Sequence, residues 1–321
     1  MGLGVPSDAM TEIPETMRAV RFDEWGDRSV LHVAEVPVPE ATAGRVLVRV
    51  RAAGINPGES AIRQGLFDGG SSDALPSGQG TDFAGIVVAV GEGVDGVDEG
   101  EEVLGWSWDR ASQAEYVSVP AEQVVQKPRL LDWTVAGGLD IVATTAAAAV
   151  RAVDPRPGET VVVSGAAGGV GGFVTQLLTN EGIDVIAIAS EANHEWLRSK
   201  HARPVAYGEG LHERITELAT NGIDALIDTY GPEYLHLGIA LGVPVDRIET
   251  IIAFEAAAEV GAKASGSADT ADPEILGALA MQVANGEVEV PIAATYPLDR
   301  VQDAYEQLEQ RHTRGKIVLI P

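Results

Sequence analysis

From Met17 to about Leu131, apolar residues come in short runs that alternate with polar ones and are broken by Gly and Pro: RAVRF, VLVRVRAAGI, GIVVAVG, EVLGW and AEYVSVP. Alternation with period two buries one side of a strand and wets the other, so these runs predict an antiparallel, barrel-like β domain. The pattern changes near Ala136. Through Asn285, apolar runs (TVVVS, DVIAIA, PVAY, ALIDTY, RIETIIAF) alternate with stretches of helical periodicity at Val170 to Thr179, His212 to Thr220 and Glu274 to Asn285. Strands interleaved with helices predict a parallel, doubly wound sheet. The closing segment has a strand-like start, a helix near Val301 to Leu308 and a terminal strand from Lys316 to Ile320, and is expected to return to the first domain. The expected fold is α/β: a β-barrel domain from residues 17–135 and 286–321, a nucleotide-binding domain from 136–285, and a disordered tail at 1–16.

One local pattern carries chemistry. Thr160 to Leu178 reads TVVVSGAAGGVGGFVTQLL, a β-branched run that feeds a glycine-rich turn and then an apolar-periodic helix. A dinucleotide pyrophosphate needs a tight turn, a backbone free of Cβ atoms where the phosphates approach, and a helix amino terminus that aims N–H groups at the anion. Ala166, Gly168 and Gly171 fall on the three small-residue positions of G-x-G-x-x-G, and Asp184 to Ala189 closes a βαβ unit. Ala167, Gly168, Gly169 and Val170 are therefore assigned to cofactor binding.

Composition narrows the partners. The formal charge is −26, from 48 acids against 22 bases, so a phosphate polymer is repelled at long range and nucleic-acid binding is not expected. The acids are spread along the chain, which reads as a strongly solvated surface. No apolar run approaches the roughly 20 residues of a membrane helix, and residues 1–16 lack the charged-then-apolar order of a signal peptide. There are no cysteines, hence no disulfides and no thiolate zinc ligands. The six histidines, at 32, 194, 201, 212, 236 and 312, form no H-E-x-x-H or comparable spacing.

A series of motifs, in order, resembles the zinc-independent medium-chain dehydrogenase/reductases of quinone oxidoreductase type: AAGINPGESAIRQGLF (Ala52 to Phe67), GTDFAGIVVAVGEGV (Gly80 to Val94), AEYVSVPA (Ala114 to Ala121), GAAGGVGG (Gly165 to Gly172), ANHEWLRS (Ala192 to Ser199) and YPLDRVQDAYEQLEQRHTRGKIVLIP (Tyr296 to Pro321). The resemblance implies a GroES-like catalytic domain built from both ends of the chain, a Rossmann domain inserted between, an active site in the cleft, a homodimer joined through the Rossmann domains, and a cytoplasmic enzyme. In zinc relatives a cysteine stands at the position of Asn56 and a His-Glu pair near Thr81 and Asp82. This chain has neither the cysteine nor the histidine, so no zinc is expected. Without a Lewis acid, the accessible chemistry is hydride donation from a reduced nicotinamide to an acceptor that is already electrophilic, a quinone or an α,β-unsaturated carbonyl. An enoyl-thioester reductase and a catalytically silent NADPH-binding protein are the alternatives.

The resemblance also implies site residues. Asn56 matches a polar residue beside the nicotinamide, or else simply forms an Asn-Pro turn. Phe67 stands where many relatives carry tyrosine, which removes a possible proton donor. Thr145 matches a threonine near the cofactor, with a hydroxyl bonded to its own helix as the alternative. Ser190 follows the second strand, where NAD-specific sites place an acid on the ribose 2′-OH; its small hydroxyl leaves room for a 2′-phosphate. Asn193 and Tyr207 match further members of that pocket, Glu191 would repel a phosphate if turned inward, and Arg198 or Lys200 would compensate. NADPH is therefore favoured over NADH. Phe254, ending the run IIAF, matches a strand end that holds the carboxamide, and Lys316 a basic residue facing the cofactor from the last strand.

Overall fold

The computed structural model describes residues 12–66, 75–266 and 271–321. Residues 1–11 of the expected tail, and Phe67, lie outside the described residues. The first part of the chain supplies β1 (Thr16–Phe22), β2 (His32–Pro37), β3 (Arg45–Gly54), α1 (Pro57–Arg63), β4 (Ser77–Gly78), β5 (Asp82–Val90), β6 (Glu102–Trp106), β7 (Tyr116–Pro120) and β8 (Val124–Gln126). Strand β3 pairs antiparallel with both β5 and β7, and β5, β6 and β8 continue the antiparallel ladder. The alternation along β3 explains its central place. Val46, Val48 and Val50 enter one core with Phe83, Val87 and Val117, while Leu47 packs on the other side against Met17 and Tyr116. A small sheet of β2, β1 and β4 packs against this ladder, with Val20 N–H donating to Gln113 O at 2.8 Å.

Helices α2 (Trp133–Ala136) and α3 (Asp140–Val153) lead into the second domain. Its elements are β9 (Thr160–Val163), α4 (Gly169–Asn180), β10 (Asp184–Ile188), α5 (His194–Ser199), β11 (Arg203–Val205), α6 (Leu211–Leu218), β12 (Ala225–Asp228), α7 (Glu233–Ala240), β13 (Ile248–Thr250), α8 (Phe254–Val260), β14 (Lys263–Ala264) and α9 (Pro273–Ala284). The six strands pair in parallel in the order β11-β10-β9-β12-β13-β14. That is the doubly wound order whose crevice opens where the winding reverses, between β9 and β12. Both faces are covered: Val161 and Val163 pack on one side with Phe173 and Leu276, and Val162 on the other with Leu226 and Leu235. This is why the strands read as continuous apolar runs.

The chain then returns through β15 (Ile292–Pro297), α10 (Val301–Glu309) and β16 (Lys316–Ile320). Strand β16 lies parallel to β15 and antiparallel to the end of β3, so both ends of the chain build the first domain around the α/β insert. The run RIETIIAF requires a correction. Strand β13 stops at Thr250, whose Oγ1 accepts the N–H of Ile252 (3.2 Å) and of Ala253 (3.1 Å) and turns the chain, so Phe254 opens α8 and is not a strand end.

Candidate functional site

The glycine turn after β9 is shaped by close backbone approaches. A Cβ on Gly171 would stand 2.3 Å from Gly165 O, and one on Gly165, itself at φ +57, would stand 2.7 Å from Thr229 Oγ1. Gly168 is different: a Cβ there meets only Gly165 O at 3.2 Å, so the space above it is open. The first bond of the α4 ladder runs from Gly172 N–H to Gly168 O (2.9 Å), so the amides of Gly169, Val170 and Gly171 are those a helix cannot satisfy internally. The turn is stitched to the other domain. Gly315 N–H donates to Ala167 O at 3.2 Å, and Gly168 bridges Gly315 in parallel. On α3, Thr144 Oγ1 bonds Asp140 O at 2.8 Å, whereas the buried Thr145 Oγ1 has no hydrogen-bond partner among the described residues. The backbone-bonded hydroxyl is thus that of Thr144. An open, amide-rich turn fits a dinucleotide.

The residues expected at the ribose follow strands at the same edge of the sheet. Ser190 follows β10, and its Oγ accepts from Asn193 Nδ2 at 3.0 Å. Tyr207, exposed, follows β11. Lys200 is committed elsewhere, to Glu289 at 2.5 Å, and Arg198 is exposed on α5. Tyr230, after β12, carries the Arg311 guanidinium 5.4 Å above its ring, a cation at the crevice that the sequence reading passed over.

Beneath this edge lies a buried polar hub. Asn-Pro starts α1, with Pro57 at the first helical position and Glu59 reaching back so that its Oε2 accepts Asn56 N–H at 3.1 Å. Asn56 Nδ2 donates to Glu59 Oε1 (3.3 Å) and Asp82 Oδ2 (3.1 Å). Lys316 Nζ donates to Asn56 Oδ1 (2.6 Å), Ile55 O (3.1 Å) and Asp82 Oδ2 (3.2 Å), which uses all three ammonium protons. Asp82 Oδ1 accepts Ile141 N–H at 3.1 Å and so ties the hub to α3. The Lys316 stem runs past the glycine turn, its Cδ 3.4 Å from where a Gly169 Cβ would lie. Lys316, Asn56 and the phosphate turn are thereby one assembly, and Phe254 is 38% exposed at the start of α8.

Three hub residues escaped the sequence reading. Glu59 is fully buried and accepts from Asn56 N, Asn56 Nδ2, Thr81 N, Gln113 Nε2 and Tyr305 Oη, five donors and no acceptor. Burial pushes its carboxyl up while the Tyr305 hydroxyl opposes the rise. Tyr305 also accepts from Gln79 and Gln113, and burial with the neighbouring Glu59 holds its phenol well above the usual range. Asp140 opens α3 with both carboxylate oxygens buried and unpartnered among the described residues. Burial, then the charge of Asp82, pushes it well up, with Lys316 pulling the other way. Glu59 alone had a local signal, the Asn-x-x-Glu capping box.

Two family models match the chain: the alcohol dehydrogenase GroES-like domain over residues 42–129 and the zinc-binding dehydrogenase over 205–319. Among the described residues no three His, Asp or Glu side chains are grouped to hold a metal ion, and the ammonium of Lys316 already stands between Asn56 and Asp82. An NADPH-dependent alkenal/one oxidoreductase of Arabidopsis thaliana is 30% identical over 99% of this chain and 83% of its own length. The solved quinone oxidoreductase of Coxiella burnetii superposes with a TM-score of 0.86 at 29% identity, covering 95% of this chain and 99% of that one. A mycobacterial protein solved in complex with NADPH superposes at 0.81 with 25% identity, over 95% and 100%. The split first domain, the winding order of the second and these likenesses make the chain a medium-chain dehydrogenase/reductase, an oxidoreductase of the quinone oxidoreductase-like group.

Proposed function

We propose that the protein is an NADPH-dependent, zinc-independent reductase that transfers a hydride to a quinone or an α,β-unsaturated carbonyl. The observation that carries the reading is the joining of the open glycine turn, through Gly315 and Lys316, to a hub in which the Lys316 ammonium stands between Asn56 and Asp82. A bound NADPH supplies the hydride. The amides of Gly169 and Val170 would hold its pyrophosphate at the α4 terminus, with Ala167 and Gly168 forming the open turn before them, Thr145 would offer a hydroxyl that has no partner among the described residues, and Ser190, Asn193 and Tyr207 would border the ribose 2′ position. Ser190 carries no acid of its own to repel a 2′-phosphate, although Glu191 follows it directly. Asn56 and Lys316 spend their hydrogen bonds on each other and on Asp82, so they act as a rigid floor. A floor of that kind orients the acceptor but does not polarise it, which favours acceptors already electrophilic. The names of the Arabidopsis and Coxiella relatives support the same substrate class.

We further propose a cytoplasmic homodimer with no nucleic-acid partner. The charge of −26 supports the last point, and among the described residues no helix is long and apolar enough to cross a membrane. The test is a titration with NADPH and NADH, followed by the nicotinamide absorbance after addition of 1,4-benzoquinone or a short enone. Tight NADPH binding with acceptor-dependent oxidation is the expected result. Binding without oxidation by either acceptor would sink the substrate assignment, and turnover only with a coenzyme A thioester would move it to enoyl-thioester reduction.

A further inference from the structure

An NADPH-dependent enzyme must accommodate a dianion on the ribose, yet the cations foreseen beside Ser190 are not used there: Lys200 pairs with Glu289, Arg198 is exposed on α5, and Glu191 adds an acid next door. The loop after β11 offers a different source of charge. Arg214, on α6, donates from Nη2 to Ala206 O (2.7 Å), Tyr207 O (3.4 Å) and Gly208 O (3.4 Å), and from Nη1 to Glu209 O (2.6 Å). One guanidinium thus gathers four consecutive carbonyls. Gly208 at φ +98 and Gly210 at φ +74 give the loop the curvature this requires.

The loop sits beside the ribose end by register. Ile188 of β10 pairs with Val205 of β11, and Ala189 N–H donates to Val205 O at 3.1 Å, so Ser190 and Tyr207 leave adjacent strands side by side. In a planar trans peptide the N–H points opposite to the C=O. Carbonyls drawn in toward Arg214 therefore turn the amides of residues 207–210 away from it. Without the guanidinium, the carbonyl oxygens of Ala206, Tyr207 and Glu209 would lose their cap, only Gly208 O keeping the N–H of Leu211 at 3.1 Å, and would leave a negative surface hostile to a phosphate but indifferent to a bare hydroxyl.

We propose that Arg214 is a positioning residue for recognition of the ribose 2′-phosphate, acting through the 206–209 loop, which it caps electrostatically and holds so that Tyr207 stands beside Ser190. The inference rests on the NADPH reading. It is tested by calorimetric titration of the full-length protein and of R214A and R214K with 2′,5′-ADP and, separately, 5′-AMP, with a thermal melt of each variant. R214A is expected to weaken 2′,5′-ADP about tenfold, or about 1.4 kcal/mol, with 5′-AMP nearly unchanged; R214K, which cannot span four carbonyls, falls between. If R214A fails to fold, R214K carries the test alone. Equal loss of both nucleotides would show that Arg214 only supports the fold, and no loss of either would also overturn the proposal. If the unaltered protein binds 2′,5′-ADP no better than 5′-AMP, the NADPH reading itself fails; if it prefers 2′,5′-ADP and R214A keeps that preference, only the role of Arg214 does.

Discussion

Lys316 Nζ lies 2.6 Å from Asn56 Oδ1, joining the last strand to the cap of the first helix, and the same ammonium is 3.2 Å from Asp82 Oδ2. Both Lys316 and Asp82 are out of solvent. Breaking such a pair by removing one partner leaves an uncompensated charge, which costs about 3–5 kcal/mol. K316M is expected to lose stability in that range, read from urea midpoints. The double variant K316M/D82N should recover part of the loss, because the stranded carboxylate is gone. If the two single losses simply add, the pair carries no coupling and the hub is not an electrostatic unit.

Asp140 makes stability depend on pH in the opposite sense to a salt-bridged acid. Its folded-state pKa is raised by burial and by Asp82, so between the unfolded value near 4 and the folded value the native state holds a proton that the unfolded state has lost. Stability therefore falls as pH rises through that window and levels off above it. D140N removes the titration. Urea midpoints from pH 4 to 8 should decline less for D140N than for the unaltered protein. Parallel curves would mean that Asp140 is ionised in the fold.

Two glycines of the same turn are expected to fail in different ways. In G171A the new methyl would lie 2.3 Å from Gly165 O, backbone against backbone, so the turn must shift, with a stability loss of about 1–3 kcal/mol. In G168A the methyl meets only Gly165 O at 3.2 Å, at an ordinary negative φ of −71, and points into open space. Its melting temperature should stay close to that of the unaltered protein while NADPH affinity drops about tenfold or more. Unchanged affinity in G168A would place the pyrophosphate elsewhere.

The glycine turn, the strands around Val46 to Val50 and the α/β alternation were readable because each rests on a local period or a local turn. Phe254 was misplaced because the apolar run IIAF continues past the strand, and only the side chain of Thr250, bonded to the amides of Ile252 and Ala253, ends it. The hub was not readable for a different reason. Glu59 and Tyr305 are 246 residues apart and meet only after the chain has returned from the second domain. Asp140 resembles any acid in the first turn of a helix, and nothing local distinguishes a buried one. Arg214 likewise reads as a surface base on an amphipathic helix until the loop closes over it.

Tyr305 gives the sharpest test of that long-range closure. Its hydroxyl donates to Glu59 Oε2 at 2.6 Å and accepts from Gln79 Nε2 (2.9 Å) and Gln113 Nε2 (2.8 Å), so a single oxygen completes the bonding of three buried side chains. Y305F keeps the ring, and with it the packing against Arg63, but strands the Gln79 amide and takes one donor from Glu59. The expected loss is about 1–3 kcal/mol. It should also depend on pH. The Tyr305 hydroxyl opposes the burial that pushes Glu59 up, so its removal raises the folded-state pKa further above the unfolded one. The window in which the native state keeps a proton the unfolded state has released then extends upward, and stability in that window falls with rising pH. Y305F should consequently lose more stability relative to the unaltered protein at pH 8 than at pH 5, measured by urea unfolding at each. A loss of the same size at both would mean that the donors remaining around Glu59 fix its charge without help from the phenol.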